Sequence, residues 1–179
     1  AEATLFPARK AWWYIPRSDI SFDEEKGSMG ASHFVAPNPD YGTIFTYYLK
    51  EDLKTREALR QENEQALREQ DQDVPFPGWE SLGAETLEEA PAILLTVKDS
   101  QGNTVRRIEG PVTAGFHRIS WDLRYPAPDP LQMNTDGENA QGMMAAPGTY
   151  TASLSKKVDG KVTQLSEPIT FDVEPLYDG

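Results

Sequence analysis

The chain has 179 residues, with 17 Lys and Arg against 29 Asp and Glu, two His and no Cys, and its formal net charge is −12. This length suits one domain that buries about 70% of its unfolded surface, and the negative charge argues against nucleic acid or anionic lipid as a partner. The lack of Cys excludes disulfides, zinc–thiolate sites and thiol catalysis, and no apolar stretch is long enough for membrane insertion.

The first 32 residues have no regular hydrophobic pattern, and their aromatic opening is kept extended by prolines. We interpret residues 1–32 as a linker or extension from an upstream domain. Trp12 and Trp13 are expected either to cap this domain's own core or to contact a neighbouring domain. Because the chain begins at Ala1 without a leader, we expect a processed protein or an excised fragment.

Residues 33–49 read as a turn followed by a strand. The turn is rich in Pro, Asn and Gly, and Thr43 to Leu49 is β-branched and aromatic throughout.

Residues 50–90 have a different composition, dominated by Glu, Gln, Arg, Lys and Ala. These residue types predict a helix over 51–70 with a thin apolar stripe, ended by the prolines at 75 and 77. A second short helix is predicted over 81–89. The charged segment is expected to be a solvated face of the protein, and the alternative is an arm that binds a partner.

Residues 92–175 have the pattern of several short strands separated by turns, which is typical of a sandwich or barrel. Hairpin turns are predicted at 99–103 and at Asp159-Gly160. The strand over 115–123 is expected to direct Phe116, Ile119 and Trp121 inward and His117 outward. The segment 162–173 is predicted to be one further strand.

The order of three segments carries a resemblance to a known class of domain. They are Ala36 to Leu49, Leu94 to Ile108, and Gly115 to Leu123 followed after a loop by Pro147-Gly148-Thr149-Tyr150. This order resembles the Ig-like, fibronectin-III-like accessory domain that is similar to the Ig-like module of flagellar hook-capping proteins. More narrowly, Ala36 to Leu49 together with Trp121-Asp122-Leu123-Arg124 looks like the C-terminal region of bacterial BNR-repeat glycosyl hydrolases and sortilin-like propeller proteins.

The resemblance implies a mainly β fold, an Ig-like β-sandwich, with a helical insertion over about residues 50–90 between the first and second core strands. The sandwich would occupy residues 33–175, and residues 176–179 would form a tail. The structural signature of this fold would comprise Pro37, Asn38, Pro39, Gly115, Trp121, Asp122, Pro147, Gly148 and Tyr150.

The resemblance also implies a function. We expect a non-catalytic accessory domain that packs on its own upstream β-propeller, in a protein of the bacterial cell exterior or periplasm. The parent protein would then be a glycosyl-hydrolase-like protein, and any active site would lie on the propeller. We expect no cofactor.

The residues themselves offer no constellation for catalysis. Only His33 and His117 could serve as the base of a nucleophilic triad, and there is no Gly-x-Ser-x-Gly elbow. No catalytic or metal site is therefore predicted, and a hydrolase in its own right is the remote alternative. A polar loop containing Asn134, Asp136, Glu138 and Asn139 leaves calcium binding open.

Aromatic residues near predicted loops and edges are the remaining candidates for a binding site. A flat exposed ring can stack on a sugar, but aromatic residues are also enriched in interfaces between domains. The leading alternative function is therefore a carbohydrate-binding module. The candidate sugar or interface residues are Trp12, Trp13, Tyr41, Trp79 and Tyr125.

Overall fold

The computed structural model describes residues 2–15, 39–127 and 142–177, and this part of the chain is mainly β. Its strands form two sheets, and two helices lie between the third and fourth strands. Several residues singled out from the sequence lie outside the described residues. They are His33, Pro37, Asn38 and the possible calcium ligands Asn134, Asp136, Glu138 and Asn139.

The first sheet has three antiparallel strands in the order β1-β3-β6. The middle strand alternates strictly between inward and outward side chains, as its β-branched and aromatic sequence predicts. The strands are β1 (Ala3–Leu5), β3 (Thr43–Leu49) and β6 (Gly115–Trp121).

The second sheet has six strands, five of them in the order β2-β9-β7-β4-β5, with β8 paired to β7. All its pairs are antiparallel except β2 with β9, which run parallel. The strands are β2 (Ala11–Trp13), β4 (Ala92–Lys98), β5 (Thr104–Gly110), β7 (Gly148–Val158), β8 (Lys161–Gln164) and β9 (Ile169–Pro175).

The two sheets pack face to face through large aromatic side chains. The ring of Phe45 on β3 meets that of Phe171 on β9 edge-on at 5.2 Å. Trp121 on β6 meets Tyr150 on β7 at 5.3 Å and has no exposed surface. Edge-to-face contacts of this kind are favourable beyond the area that they bury, so these rings form the centre of the core.

Both predicted hairpin turns are present. The Asp99 carboxylate accepts hydrogen bonds from the backbone N–H groups of Gln101 and Asn103, each at 2.9 Å, and so closes the β4–β5 turn. Asp159 and Gly160 both have positive φ, at 51° and 72°, as a two-residue turn between β7 and β8 requires.

Three expectations about the strands are wrong. Residues 1–32 are not irregular throughout, because β1 and β2 are strands with buried side chains at Ala3, Leu5 and Ala11. These strands are only three residues long, and partners distant in sequence stabilise them. The segment 162–173 is not one strand, because β8 ends at Gln164 and β9 begins at Ile169.

The third error concerns the faces of β6. Phe116 lies outside, with 71% of its surface exposed, whereas the side chain of His117 points inward against Tyr47, with ring centroids 5.1 Å apart. Strict alternation from the buried Trp121 places residues 119 and 117 on the same face as Trp121, so Phe116 lies on the opposite face.

The helices α1 (Arg56–Glu69) and α2 (Trp79–Thr86) form a segment attached at one end of the sheets. Thr55 caps α1 by accepting a hydrogen bond from the N–H of Ala58. Neither helix contains a buried residue. We call residues 50–90 the helical arm.

Candidate functional site

The sequence candidates fall into two groups at opposite ends of the sheets. At one end, Thr43 at the start of β3 pairs with Trp121 at the end of β6 in the first sheet. In the second sheet, the last residues of β2 and β9, Trp13 and Pro175, pair at this same end. The helical arm leaves from the other end, where Leu49 pairs with Gly115.

We call the first group the aromatic end. It is formed by the last two residues of β2 and by residues that precede or follow the strands at that end of both sheets. They are Trp12, Trp13, Tyr14, Ile15, Tyr41, Tyr125, Leu176 and Tyr177.

Trp13 is the structural residue of this group. Its indole Nε1 donates a hydrogen bond of 2.8 Å to the carbonyl oxygen of Ala145, and its ring packs against the core. The indole N–H and part of the ring of Trp13 therefore already have contacts within the protein.

Tyr41 also has a partner within the protein. Its hydroxyl donates a 2.7 Å hydrogen bond to the carbonyl oxygen of Tyr14, and the two rings meet edge-on at 5.0 Å. Burial raises the pKa of Tyr41 above its usual value. The contact fastens the end of β2 to the residues that precede β3.

The residues that leave the second sheet at this end are exposed and apolar. Because β2 and β9 run parallel and the N–H of Leu176 bonds to the carbonyl oxygen of Trp13 at 3.0 Å, the segments 14–15 and 176–177 leave side by side. Ile15 is 67% exposed and Tyr177 is 80% exposed. Together they place a mixed aromatic and aliphatic surface next to Tyr14.

Trp12 and Tyr125 are the other two candidates at this end. Trp12 is partly exposed, but the ammonium of Lys10 lies 4.7 Å from the centre of its ring and covers one face. Tyr125 is partly exposed, and its backbone N–H bonds to the carbonyl oxygen of Met143. No two of the candidates at this end are stacked with parallel rings among the described residues.

Trp79 is separate from the other candidates. It begins α2 in the helical arm and is 81% exposed, and its ring meets that of Phe76 edge-on at 5.2 Å. The structure thus brings Trp12, Trp13, Tyr41 and Tyr125 to one end of the protein and places Trp79 elsewhere.

The described signature residues lie in different surroundings. Trp121 is buried and its indole Nε1 donates to the carbonyl oxygen of Arg124 at 2.9 Å, and the Asp122 carboxylate accepts from the N–H of the same residue at 3.1 Å. Gly115 has a φ of 113°, which favours glycine. Pro39, Pro147 and Gly148 are exposed, and Tyr150 is buried.

An aromatic cluster that sequence reasoning missed lies on the outer face of the three-stranded sheet. Phe116 packs on Phe6 with ring centroids 5.9 Å apart and an interplanar angle of 29°, and Tyr48 lies 5.0 Å from the same ring. Placing Phe116 on the correct face of its strand would have revealed part of this cluster.

Two further observations concern the described residues only. Across residues 2–15, 39–127 and 142–177, no three His, Asp or Glu side chains are close enough together to hold a metal ion. Within those same ranges, no helix is long and apolar enough to cross a membrane.

Comparison with known proteins gave no match: no family model matches the sequence, and neither a curated protein nor a solved structure matches it.

Proposed function

We propose that this chain is a non-catalytic, Ig-like accessory domain of an exported glycosyl-hydrolase-like protein. In this proposal the aromatic end packs on the upstream β-propeller that the resemblance implies. The observation that carries the proposal is the exposed apolar surface where β2 and β9 end side by side. Aromatic residues are enriched at the centres of protein interfaces.

The strand order supports the Ig-like part of the proposal. In Ig domains one sheet contains strands A, B, E and D, and in variable-type domains strand C′ extends the other sheet, G-F-C. The orders β1-β3-β6 and β9-β7-β4-β5 fit A-B-E and G-F-C-C′, and the described three-stranded sheet has no counterpart of strand D. On this assignment the helical arm is an insertion between strands B and C.

A hydrogen bond at the start of β7 gives independent support. The hydroxyl of Tyr150 donates a bond of 2.5 Å to the carbonyl oxygen of Ala146, four residues upstream. A tyrosine that bonds back in this way near the start of strand F is a feature of many Ig-like sandwiches. Trp121 departs from the antibody pattern, since it lies on β6 and the chain has no Cys.

The test begins with the complete reading frame, which should encode a β-propeller before this domain. The separately produced propeller should then bind this chain in isothermal titration calorimetry. Replacing both Ile15 and Tyr177 by Ser should weaken that binding at least about 30-fold, the effect of losing about 2 kcal/mol of interface energy.

Phe116→Ser is the matched control, because Phe116 is equally exposed but lies on the outer face of the other sheet. This variant should bind the propeller like the wild type. A reading frame without a propeller, or a binding constant that is unchanged in the Ile15 and Tyr177 double variant, would overturn the proposal.

Carbohydrate binding is the second candidate, and the cluster of Phe6, Tyr48 and Phe116 favours it. The rings of Phe6 and Phe116 are close to parallel, with an interplanar angle of 29°. Among the aromatic contacts of the described residues, this is the stacked pair that lies on an outer surface. A glycan array with the wild type, Phe116→Ala and Trp79→Ala tests this function. A reproducible signal lost in Phe116→Ala alone would support it, and a blank array on folded protein would reject it.

A further inference from the structure

The helical arm contains an open apolar cleft. The cleft has a volume of about 550 Å³ and lies between α1 and α2. Its apolar walls are formed by Leu59, Leu67, Pro75, Pro77 and Ala84. Because neither helix has a buried residue, these side chains do not serve a core of the arm itself, and the space is large enough for several aliphatic side chains of a ligand.

Two exposed aromatic residues, Phe76 and Trp79, lie in the segment of chain that contributes Pro75, Pro77 and Ser81 to the cleft. Phe76 is 63% exposed and Trp79 is 81% exposed. The rings of Phe76 and Trp79 meet edge-on at 5.2 Å and so form one exposed aromatic pair next to these residues in sequence. Trp is one of the residue types most enriched among the residues that carry the binding energy of protein interfaces.

The walls of the cleft are held in place by ion pairs. Arg60 on α1 donates two hydrogen bonds to the Glu85 carboxylate on α2, at 2.8 and 3.0 Å, and a third to Glu64 at 2.6 Å. Planar two-point pairing of this kind fixes the mutual orientation of the two helices. A cleft whose walls are fixed before binding loses less entropy when a ligand enters.

The arm is also fastened to the sheets. Arg56 pairs with Asp159 in the β7–β8 turn at 2.7 Å, and Lys157 on β7 pairs with Glu89 at 2.5 Å. The N–H of Leu53 bonds to the carbonyl oxygen of Val112 at 2.9 Å. The cleft is therefore presented at a fixed end of the protein, opposite the aromatic end.

The charge of the arm selects the kind of partner. Residues 50–90 contain 5 Lys and Arg and 12 Asp and Glu, a net charge of −7 out of −12 for the whole chain. A second arm, a nucleic acid or an anionic lipid surface would each be repelled. A protein segment with cationic side chains around an apolar stripe is complementary to both the charge and the cleft.

We propose that the cleft between α1 and α2, together with Phe76 and Trp79, binds a cationic amphipathic segment of a partner protein. Aliphatic side chains of the segment enter the cleft beside Leu59 and Leu67. Its Lys or Arg side chains face the carboxylates that surround the aromatic pair in sequence, Asp73 and Glu80. This surface is separate from the aromatic end, so the proposal does not depend on the propeller.

The test uses the full chain and three synthetic peptides of about 14 residues, enough for four helical turns. One peptide carries Leu and Lys at amphipathic helical spacing. The second replaces every Lys by Glu, and the third replaces every Leu by Ser. Only the Leu/Lys peptide should bind in isothermal titration calorimetry.

Two variants with unchanged net charge locate the site. Trp79→Ser should weaken binding of the Leu/Lys peptide by about 10-fold or more, the lower range expected for truncating an interface Trp. Phe116→Ser, which removes an equally exposed aromatic ring from another surface, should leave the binding unchanged. Circular dichroism of both variants checks that the fold is retained.

Each other outcome would overturn the proposal. Equal binding of the Leu/Lys and Ser/Lys peptides, or full binding by Trp79→Ser, would indicate non-specific attraction to an acidic protein. Equal binding of the Leu/Glu peptide would remove the role of charge. A concentration-dependent dimer that is lost in Trp79→Ser would assign the cleft to a second copy, and a glycan signal lost in that variant would assign it to carbohydrate.

Discussion

Trp13 and Ala145 are joined by a 2.8 Å hydrogen bond from the indole Nε1 of Trp13 to the carbonyl oxygen of Ala145. The two residues are 132 positions apart in sequence. This bond connects the end of β2 to the segment that leads into β7. It therefore contributes to holding β2 in place at the edge of the second sheet.

The hydrogen bond predicts a specific loss of stability in Trp13→Phe. This change keeps an aromatic ring but leaves the Ala145 carbonyl without its donor, so the free energy of unfolding should fall by about 1 kcal/mol. Trp12→Phe is the control, because Trp12 is partly exposed on the same strand, and a surface change should cost less than about 0.5 kcal/mol. Urea denaturation measures both values, and equal losses would contradict the assignment.

Gly42 and Gly102 provide a second pair of contrasting substitutions. Both have positive φ, at 103° and 84°, so Ala at either position carries the strain of the left-handed region, about 1–2 kcal/mol. A methyl group at Gly42 would also collide with the carbonyl oxygen of Trp121, whereas the space around Gly102 is open.

We therefore expect Gly42→Ala to lower the free energy of unfolding by about 3 kcal/mol or more. Gly102→Ala should lower it only by the backbone strain of about 1–2 kcal/mol. Thermal and urea denaturation of the two variants, side by side, separate the effects. Similar losses in both would mean that the backbone of Trp121 moves aside without cost.

The features that the sequence predicted well depend on neighbouring residues. The turn at 99–103 is closed by the carboxylate of Asp99 within its own loop, and the Asp159-Gly160 turn needs only residues that tolerate positive φ. Likewise, the burial of Trp121 follows from its size and its place on an alternating strand. Such features can be read from a few consecutive residues.

The features that the sequence did not predict depend on distant partners. β2 is a strand because it pairs in parallel with β9, more than 150 residues further along the chain, and three residues carry no period by which to detect it. The cleft needs the contact of Arg60 with Glu85 on a second helix, whereas the sequence reveals only pairs within α1, such as Glu64 with Arg68 at i,i+4. The aromatic end was predicted as separate residues, not as a surface.

Tyr47 should make the stability of the protein depend on alkaline pH. Its side chain is fully buried, its hydroxyl donates a 2.7 Å bond to the carbonyl oxygen of Pro111, and burial raises its pKa from 10.0 to about 12. Between these values the folded state keeps a proton that the unfolded state has lost, so stability falls as the pH rises.

Tyr47→Phe has no ionisable hydroxyl. It also lacks the hydrogen bond to Pro111, which contributes about 1 kcal/mol to the free energy of unfolding. At about pH 8 the variant should be the less stable protein. As the pH rises to about 11, the difference in the free energy of unfolding between the variant and the wild type should become smaller. The reason is that only the wild type loses the stabilising contribution of the protonated Tyr47 hydroxyl. Urea denaturation at the two pH values is the measurement, and a constant difference would show that the phenol does not titrate as its burial requires.

Glu85 should make the helical arm sensitive to acid. Its hydrogen bonds to Arg60 lower its pKa below the usual 4.5, so the pairing stabilises the folded arm above that value and is lost as the pH falls through the lowered pKa. Neither helix has a buried residue, so no buried apolar side chain of α1 or α2 replaces this pairing when it is lost. Hydrogen-exchange protection of α2, measured by NMR, should therefore decrease in acid while the sheets stay protected.

The variant Glu85→Gln separates this effect from general acid denaturation. It removes the titrating group, so α2 should be less protected than in the wild type at neutral pH and should show little further loss as the pH falls. Glu80→Gln, on the exposed surface of the same helix, should behave like the wild type at every pH. If α2 in Glu85→Gln still loses protection in acid as the wild type does, another group controls the docking of the helices, and the cleft does not depend on the Arg60–Glu85 pair.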